Sequence, residues 1–389
     1  MRRTRLTLLV ALAIAHAAHA ETIILRGGQV LDEPVVAVDI SGLHIGGDAP
    51  RTIGWDAVRN VEGAHADDAS QFSALSELAW RARVRLDRGD ITLAAPLFAE
   101  LYEQCSGQPG PTPLLAAEGA ARCALARGQT TAAVQPWLDA VRLRRLGARL
   151  AGEQEPGERE SWVVRRPLVE PETQLVEALP PMWLDGPEVD GLALALALES
   201  SLNTTVSMAA PEDRLRRWYA LAATWESRRT ADQAQLAELT RASFAPGAPP
   251  GERLVAAIVA SRVSDVDRRA QARAILEGIV VDDIGTWREA WARVALGRSL
   301  LLEPDVADHD RALIHLLHAP ARFESSLPAL SAMALAHAAL EVARTGQPTV
   351  AQRLRDELAT LATYHGSAAA ALAWLDATLA SLTPTEERS

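Results

Sequence analysis

ARVRLDRGDITLAAPLF at residues 82–98 and ARCALARGQTTAAVQPW at 121–137 carry one pattern twice, 39 residues apart. ALEVARTGQPTVAQRLR at 339–355 carries most of it a third time. The pivot is a glycine, Gly89, Gly128 or Gly346, between two apolar-periodic stretches. Seven residues before it stand Ala82, Ala121 and Ala339; five after it stand Ala94, Ala133 and Ala351. Nine after it, Phe98 and Trp137 occupy the first two copies, and Arg355 the third. The chemistry is that of a helical hairpin. Small side chains let antiparallel helices approach, glycine adopts the C-cap conformation, and an aromatic fills the gap to the next hairpin. Such a hairpin cannot bury its own apolar face, so it stacks on neighbours.

These positions make the first two hairpins resemble the tetratricopeptide repeat. Three features depart from that family. The spacing exceeds its 34 residues, its terminal proline is missing, and residues 190–320 match only loosely. The resemblance implies an α-solenoid of antiparallel helical hairpins that binds a protein or peptide segment.

The Ala-, Leu-, Arg- and Glu-rich remainder predicts helices at 72–88, 91–105, 113–127 and 130–146. After a break they resume at 190–202, 209–228, 230–243, 251–263, 266–280, 286–302, 307–318, 327–345, 348–364 and 366–382. Residues 21–62 read differently. Short β-rich runs between glycine turns predict a small antiparallel unit of three or four strands, docked on the helices because so short a chain buries little alone. Residues 63–70 read as a linker, 71–149 as the repeat-like hairpins and 190–383 as a further helical-repeat region. Between these lies a long insertion, 150–189, with an acidic run and the apolar Trp162-Val163-Val164 and Met182-Trp183. Loops this long pack on the scaffold, carry a binding function or stay disordered.

Residues 1–20 have the form of a secretory signal: Arg2, Arg3 and Arg5, an apolar Leu6–Ala15, and Ala18-His19-Ala20 for cleavage after Ala20. The apolar run is too short to span a bilayer, so no stable membrane span is expected after cleavage, and the localisation expected is periplasmic or secreted. The net charge is −11, and removing the three signal arginines leaves 36 basic against 50 acidic residues, or −14. That balance argues against nucleic acid and anionic lipid as partners. All 39 basic residues are arginine. Without lysine, the phosphate loop, the Schiff base and the serine–lysine pair are excluded. Unless residues 106–112 fold back, Cys105 and Cys123 lie too far apart along predicted helices for a bridge, and are expected reduced and buried.

No catalytic motif, cofactor fingerprint or metal set emerges. His315 and His318 are i, i+3 neighbours, with His309 near them, but no further ligand is evident and His at a helix end caps carbonyls. The runs Arg142–Arg145 and Arg214–Arg217 read as solvated faces, with the lining of a groove for acidic or C-terminal carboxylate groups as the alternative. The helical tryptophans read as core. The expectation is a non-enzymatic envelope scaffold without cofactor or metal, binding a protein or peptide. Arg83, Arg122, Trp162, Arg165, Arg166 and Trp183 are the first residues to assign to its surface. The alternatives are a polysaccharide enzyme, which requires two carboxylates about 5–10 Å apart in a deep pocket, and a purely structural envelope component.

Overall fold

A computed structural model describes residues 21–47, 49–150, 168–184, 193–199, 210–226 and 233–382. The chain opens with six strands: β1 (Glu21–Leu25), β2 (Val30–Glu33), β3 (Val35–Asp39), β4 (Gly42–Ile45), β5 (Arg51–Ile53) and β6 (Val58–Glu62). They form two antiparallel three-stranded sheets, ordered β2-β1-β6 and β3-β4-β5. This corrects the expected three or four strands. Pro34 ends β2 and lets β3 turn into a second sheet, and β6 closes the first by pairing with β1 across more than thirty residues. The expected linker also contains a helix, α1 (Ala66–Ser70).

Apart from residues 168–184 and the connecting turns, the rest of the described chain is helical: α2 (Ser73–Asp87), α3 (Ile91–Cys105), α4 (Pro111–Ala126), α5 (Thr130–Arg145), α6 (193–199), α7 (Pro211–Glu226), α8 (Gln233–Ser243) and α9 (Pro250–Ala260). It continues through α10 (Val266–Asp282), α11 (Trp287–Leu300), α12 (Val306–Phe323), α13 (Pro328–Arg344), α14 (Pro348–Ala362) and α15 (Gly366–Leu382). The fold is mostly α, an α-solenoid of antiparallel hairpins carrying a small antiparallel β unit. Helix α12 runs five residues past its predicted end at 318, through Pro320.

The pivot glycines sit at the α2–α3, α4–α5 and α13–α14 corners with φ of 79°, 71° and 79°. Each corner closes identically. The glycine N–H donates to the carbonyl three residues back, and the next N–H donates five back: Gly89 to Leu86 and Asp90 to Arg85, Gly128 to Leu125 and Gln129 to Ala124, Gly346 to Ala343 and Gln347 to Val342. Two orphan carbonyls of the ending helix are thereby satisfied. Ala82, Ala94, Ala121, Ala133, Ala339 and Ala351 are all buried, as are Phe98 and Trp137. The ring of Phe98 lies where a β-carbon on Gly119 of α4 would stand, 2.0 Å from it, so α4 has no side chain at that point.

The centre turns differently. The α9–α10 and α11–α12 corners use an extended aspartate, whose carboxylate accepts the N–H of Arg268 at Asp265 and of Ala307 at Asp305. Ala272 and Ala312, then Leu276 and Leu316, follow at the same offsets, and all four are buried. These hairpins therefore repeat at 40 residues around Asp-Val, a signal that a search keyed to glycine passes over.

The opening helices of successive hairpins, α4, α9, α11 and α13, are buried on nearly every face. Each carries a buried glutamate held by an arginine or a histidine from nearby. Glu118 is gripped by Arg144, Glu252 by Arg214 (2.7 and 2.9 Å) and by Ser243, Glu289 by Arg293 (2.7 Å) and His318 (3.1 Å), and Glu341 by His309 (2.7 Å). Arg216 is likewise buried against Asp139 (2.6 Å). Much of the two arginine runs read as solvated faces thus points inward, because helices α5 and α7 both face neighbours that carry these acids.

The β unit shares its core with α2–α4. Trp55 is buried, stacks on Phe72 and donates its indole N–H to the Asp39 carbonyl (2.8 Å). Thr112, at the start of α4, accepts from the Trp55 N–H and donates to the Ser41 carbonyl.

Candidate interaction surface

Residues 168–184 lie along the opening helices as a strap. Leu175, Val176, Leu179 and Met182 are buried in the same core as α7, α9 and α11. The strap runs in the same direction as α11, since Arg288, Trp291 and Arg298 contact Glu170, Glu177 and Trp183 in that order. Three donors reach its main chain: the Tyr219 hydroxyl to the Leu179 carbonyl (2.5 Å), the Trp291 indole to Glu177 (3.0 Å) and the Arg298 guanidinium to Trp183 (3.1 Å). Main-chain carbonyls carry no side-chain identity, so these contacts hold an irregular segment whatever its sequence.

Specificity at the strap's first end comes from charge. Arg288 contacts Glu170 at 2.8 Å and Glu172 at 3.5 Å, and is oriented by Asp283 at 2.8 Å. Burial works against its charge, but Asp283 and Glu170 outweigh that and raise its pKa above the usual arginine value. Helix α9 yields room there. A β-carbon on Gly251 would meet the Thr173 carbonyl at 2.1 Å. Gln174 next to it adopts φ 60°, a left-handed conformation costly for a residue with a side chain, and its N–H donates to the Glu170 carbonyl. Beside this turn opens a cleft of about 500 Å³, bordered by Glu172, Arg253, Gln271, Asp282 and Arg288.

Aromatic rings line the strap's other end. Tyr219 meets Trp137 edge-on at 5.0 Å and Trp183 at 6.2 Å, and burial pushes its phenol well above its ordinary pKa. Trp137, the second repeat aromatic, thus reaches the residue that holds the strap.

The residues first assigned to the surface are placed otherwise. Arg83 binds the buried carboxylate of Asp56 at 2.5 Å and ties α2 to the β unit. Arg122 is 9% exposed and faces Glu118 at 3.7 Å, and burial lowers its pKa against the pull of that carboxylate. Both arginines stand six residues before the corner glycine; Arg83 is committed to the β unit and Arg122 is buried beside Glu118 one turn back on its own helix, so neither is presented on an open surface. Trp183 belongs to the strap and is half-buried. Trp162, Arg165 and Arg166 lie outside the described residues.

Further clefts open elsewhere among the described residues. One of about 750 Å³ lies between the β unit and the ends of α3 and α5, bordered by Asp39, Ser41, His44, Arg51 and Arg149. There Asp39 accepts from the Ser41 hydroxyl (2.6 Å) and contacts His44 Nε2 (2.9 Å); burial opposes its charge, yet these bonds hold its pKa below the ordinary value. The imidazole nitrogen is shared between serine and aspartate, so this cluster braces a turn rather than forming a proton relay. Another, about 510 Å³, is walled by small residues of α3, α4, α5 and α6 near Tyr102, which donates to Asp139.

The histidines do not converge. His309 Nε2 meets the Glu303 carbonyl while Nδ1 meets Glu341, and His318 faces Glu289. Among the described residues no group of three or more His, Cys, Asp or Glu side chains is placed to hold a metal ion, and no helix is long and apolar enough to cross a membrane. Cys105 and Cys123 are free and buried, with burial pushing their pKa values up to about 12 and about 11. Comparison with protein-family models, with curated proteins and with solved structures gave no match in any of the three.

Proposed function

We propose that the protein is an exported helical-repeat scaffold, similar in build to tetratricopeptide-repeat proteins, whose opening-helix face binds a protein or peptide segment. The observation that carries this reading is the mode of contact on that face. Tyr219, Trp291 and Arg298 donate to three main-chain carbonyls of an irregular segment while apolar side chains fill the spaces between them. That is how a repeat scaffold engages a peptide. The signal-like residues 1–20 support export, and the acidic balance favours a protein partner over a nucleic acid.

Site-specific photo-crosslinking tests the reading. A photoreactive residue replaces Arg253 beside the cleft, or Ile314 on the exposed side of α12, and the chain is irradiated with envelope extract from its native cell. Defined adducts at position 253 and none at 314 are expected. Adducts at 314 alone, or at neither position, would overturn it.

A further inference from the structure

Resting on the peptide-binding reading of this face, we propose that residues 168–184 are a tethered ligand, and that the partner is a peptide of the same chemistry which exchanges with it. The strap itself states that chemistry. Two carboxylates, Glu170 and Glu172, engage Arg288, and three residues after the second come apolar side chains at 175, 176, 179 and 182. Pro180-Pro181 precede the last anchor and keep that end extended. The partner is therefore an acidic-then-apolar peptide with a proline pair, its apolar residues spaced one, three and three apart.

Three features mark the strap as a ligand rather than an ordinary core element. It contributes neither helix nor strand, and its Glu177, Leu179 and Trp183 carbonyls are held by side chains of other elements. Its principal donors come from two helices separated in sequence, α7 and α11, which pack without it through α9. Its acidic end lies against an open cleft of about 500 Å³, so an incoming peptide can pair with Arg288 before the apolar anchors move. A cis occupant also sets a threshold. Tethering gives a segment an effective concentration in the millimolar range, so only a well-matched peptide displaces it.

The test opens the tether. Protease sites are inserted after Gly157 and after Gly186 in the full mature chain, both are cut, and a fluorescent synthetic peptide LVEPETQLVEALPPMWL, residues 168–184, is added. Anisotropy should rise saturably on the cut chain, with at least a hundredfold weaker apparent binding to the uncut one. Changing Leu179 to Arg in the peptide should weaken binding at least tenfold. Arg288→Glu in the scaffold should do likewise, and a peptide with arginine at positions 170 and 172 should restore it. Two results would sink the proposal: a cut chain that stays helical by circular dichroism but takes up no labelled peptide, or one that loses its helicity once the excised segment is dialysed away. Neither result touches crosslinking at position 253, so failure of the exchange is distinguishable from failure of the binding role.

Discussion

Gly89 and Gly119 show how one residue type serves two physical needs. Around Gly89 an added β-carbon meets nothing within 4 Å, but φ is 79°. Gly89→Ala should therefore cost about 1 kcal/mol, the penalty of a left-handed backbone. Gly119 has ordinary helical geometry but no room, and Gly119→Ala should cost about 2–3 kcal/mol through overpacking against Phe98. Urea midpoints of the two variants check the order, and a larger loss at Gly89 would refute the packing account. The buried glutamates invite a second comparison. Glu252→Ala leaves Arg214 buried without its main partner and should cost about 3 kcal/mol. Glu277→Ala removes an exposed contact 3.8 Å from Arg311 and should cost less than about 0.5 kcal/mol.

The histidines give a pH dependence whose sign follows from their sites. His315 is held down to about 4 by burial, with Arg293 and Arg311 adding to it; His318 is lowered by burial and Arg293, and His337 by burial with Arg298, Arg262 and Arg344 nearby. In each, the unfolded chain takes up a proton near pH 6.5 while the folded one resists, so stability falls as pH drops from about 7 towards 4. His309 opposes this. Its pKa is raised by the Glu303 carbonyl and Glu341, so its contribution is complete below pH 6.5 and fades as pH rises through the folded value. Three against one, the net expectation is a lower urea midpoint at pH 5 than at pH 7.5, and His337→Met should shrink the difference. An unchanged pH profile in that variant would show that His337 does not resist its proton.

At the scale of elements, the two corner types stop and start helices by different means. A glycine corner satisfies the carbonyls of the helix that ends, whereas an aspartate corner satisfies the N–H groups of the helix that begins. Asp305→Ala should destabilise by about 1 kcal/mol, and Asp305→Asn by much less, since asparagine caps about as well. Thermal melts of the pair check this. Helix positions were largely legible in the sequence: α3 and α15 begin and end where periodicity and punctuation put them. Strands were less so. The pairing of β6 with β1 depends on partners far apart in sequence, and local propensity carries no record of that choice.

At the scale of the molecule, stability should be graded along the solenoid. Helices α14 and α15 bury only one side, while α11 and α13 are enclosed. Hydrogen exchange should therefore begin at α14–α15 and finish in α11. The strap adds apolar contacts with α7, α9 and α11 to the packing of α7 and α11 on α9. Leu179→Asp should accelerate exchange through α7, α9 and α11 while sparing residues 21–62, whose core is separate. Equal acceleration in the β unit would show one cooperative body instead.

Taken alone, the sequence determined where the helices lie and where they turn, because a glycine corner and a 3.6-residue apolar period are satisfied within a few residues of themselves. The aspartate corners were written there too, as a 40-residue repeat of Asp-Val. Only the tertiary structure decided that Arg83, Arg122, Arg214 and Arg216 face inward and that residues 168–184 of the insertion lie along the opening helices. Those outcomes turn on partners 4 to 118 residues away, from Arg122–Glu118 to Arg288–Glu170. An arginine reads the same on paper whether it meets water or a buried carboxylate. The difference lies in which surface the fold brings opposite it, and in the cost of burying a charge that finds no partner.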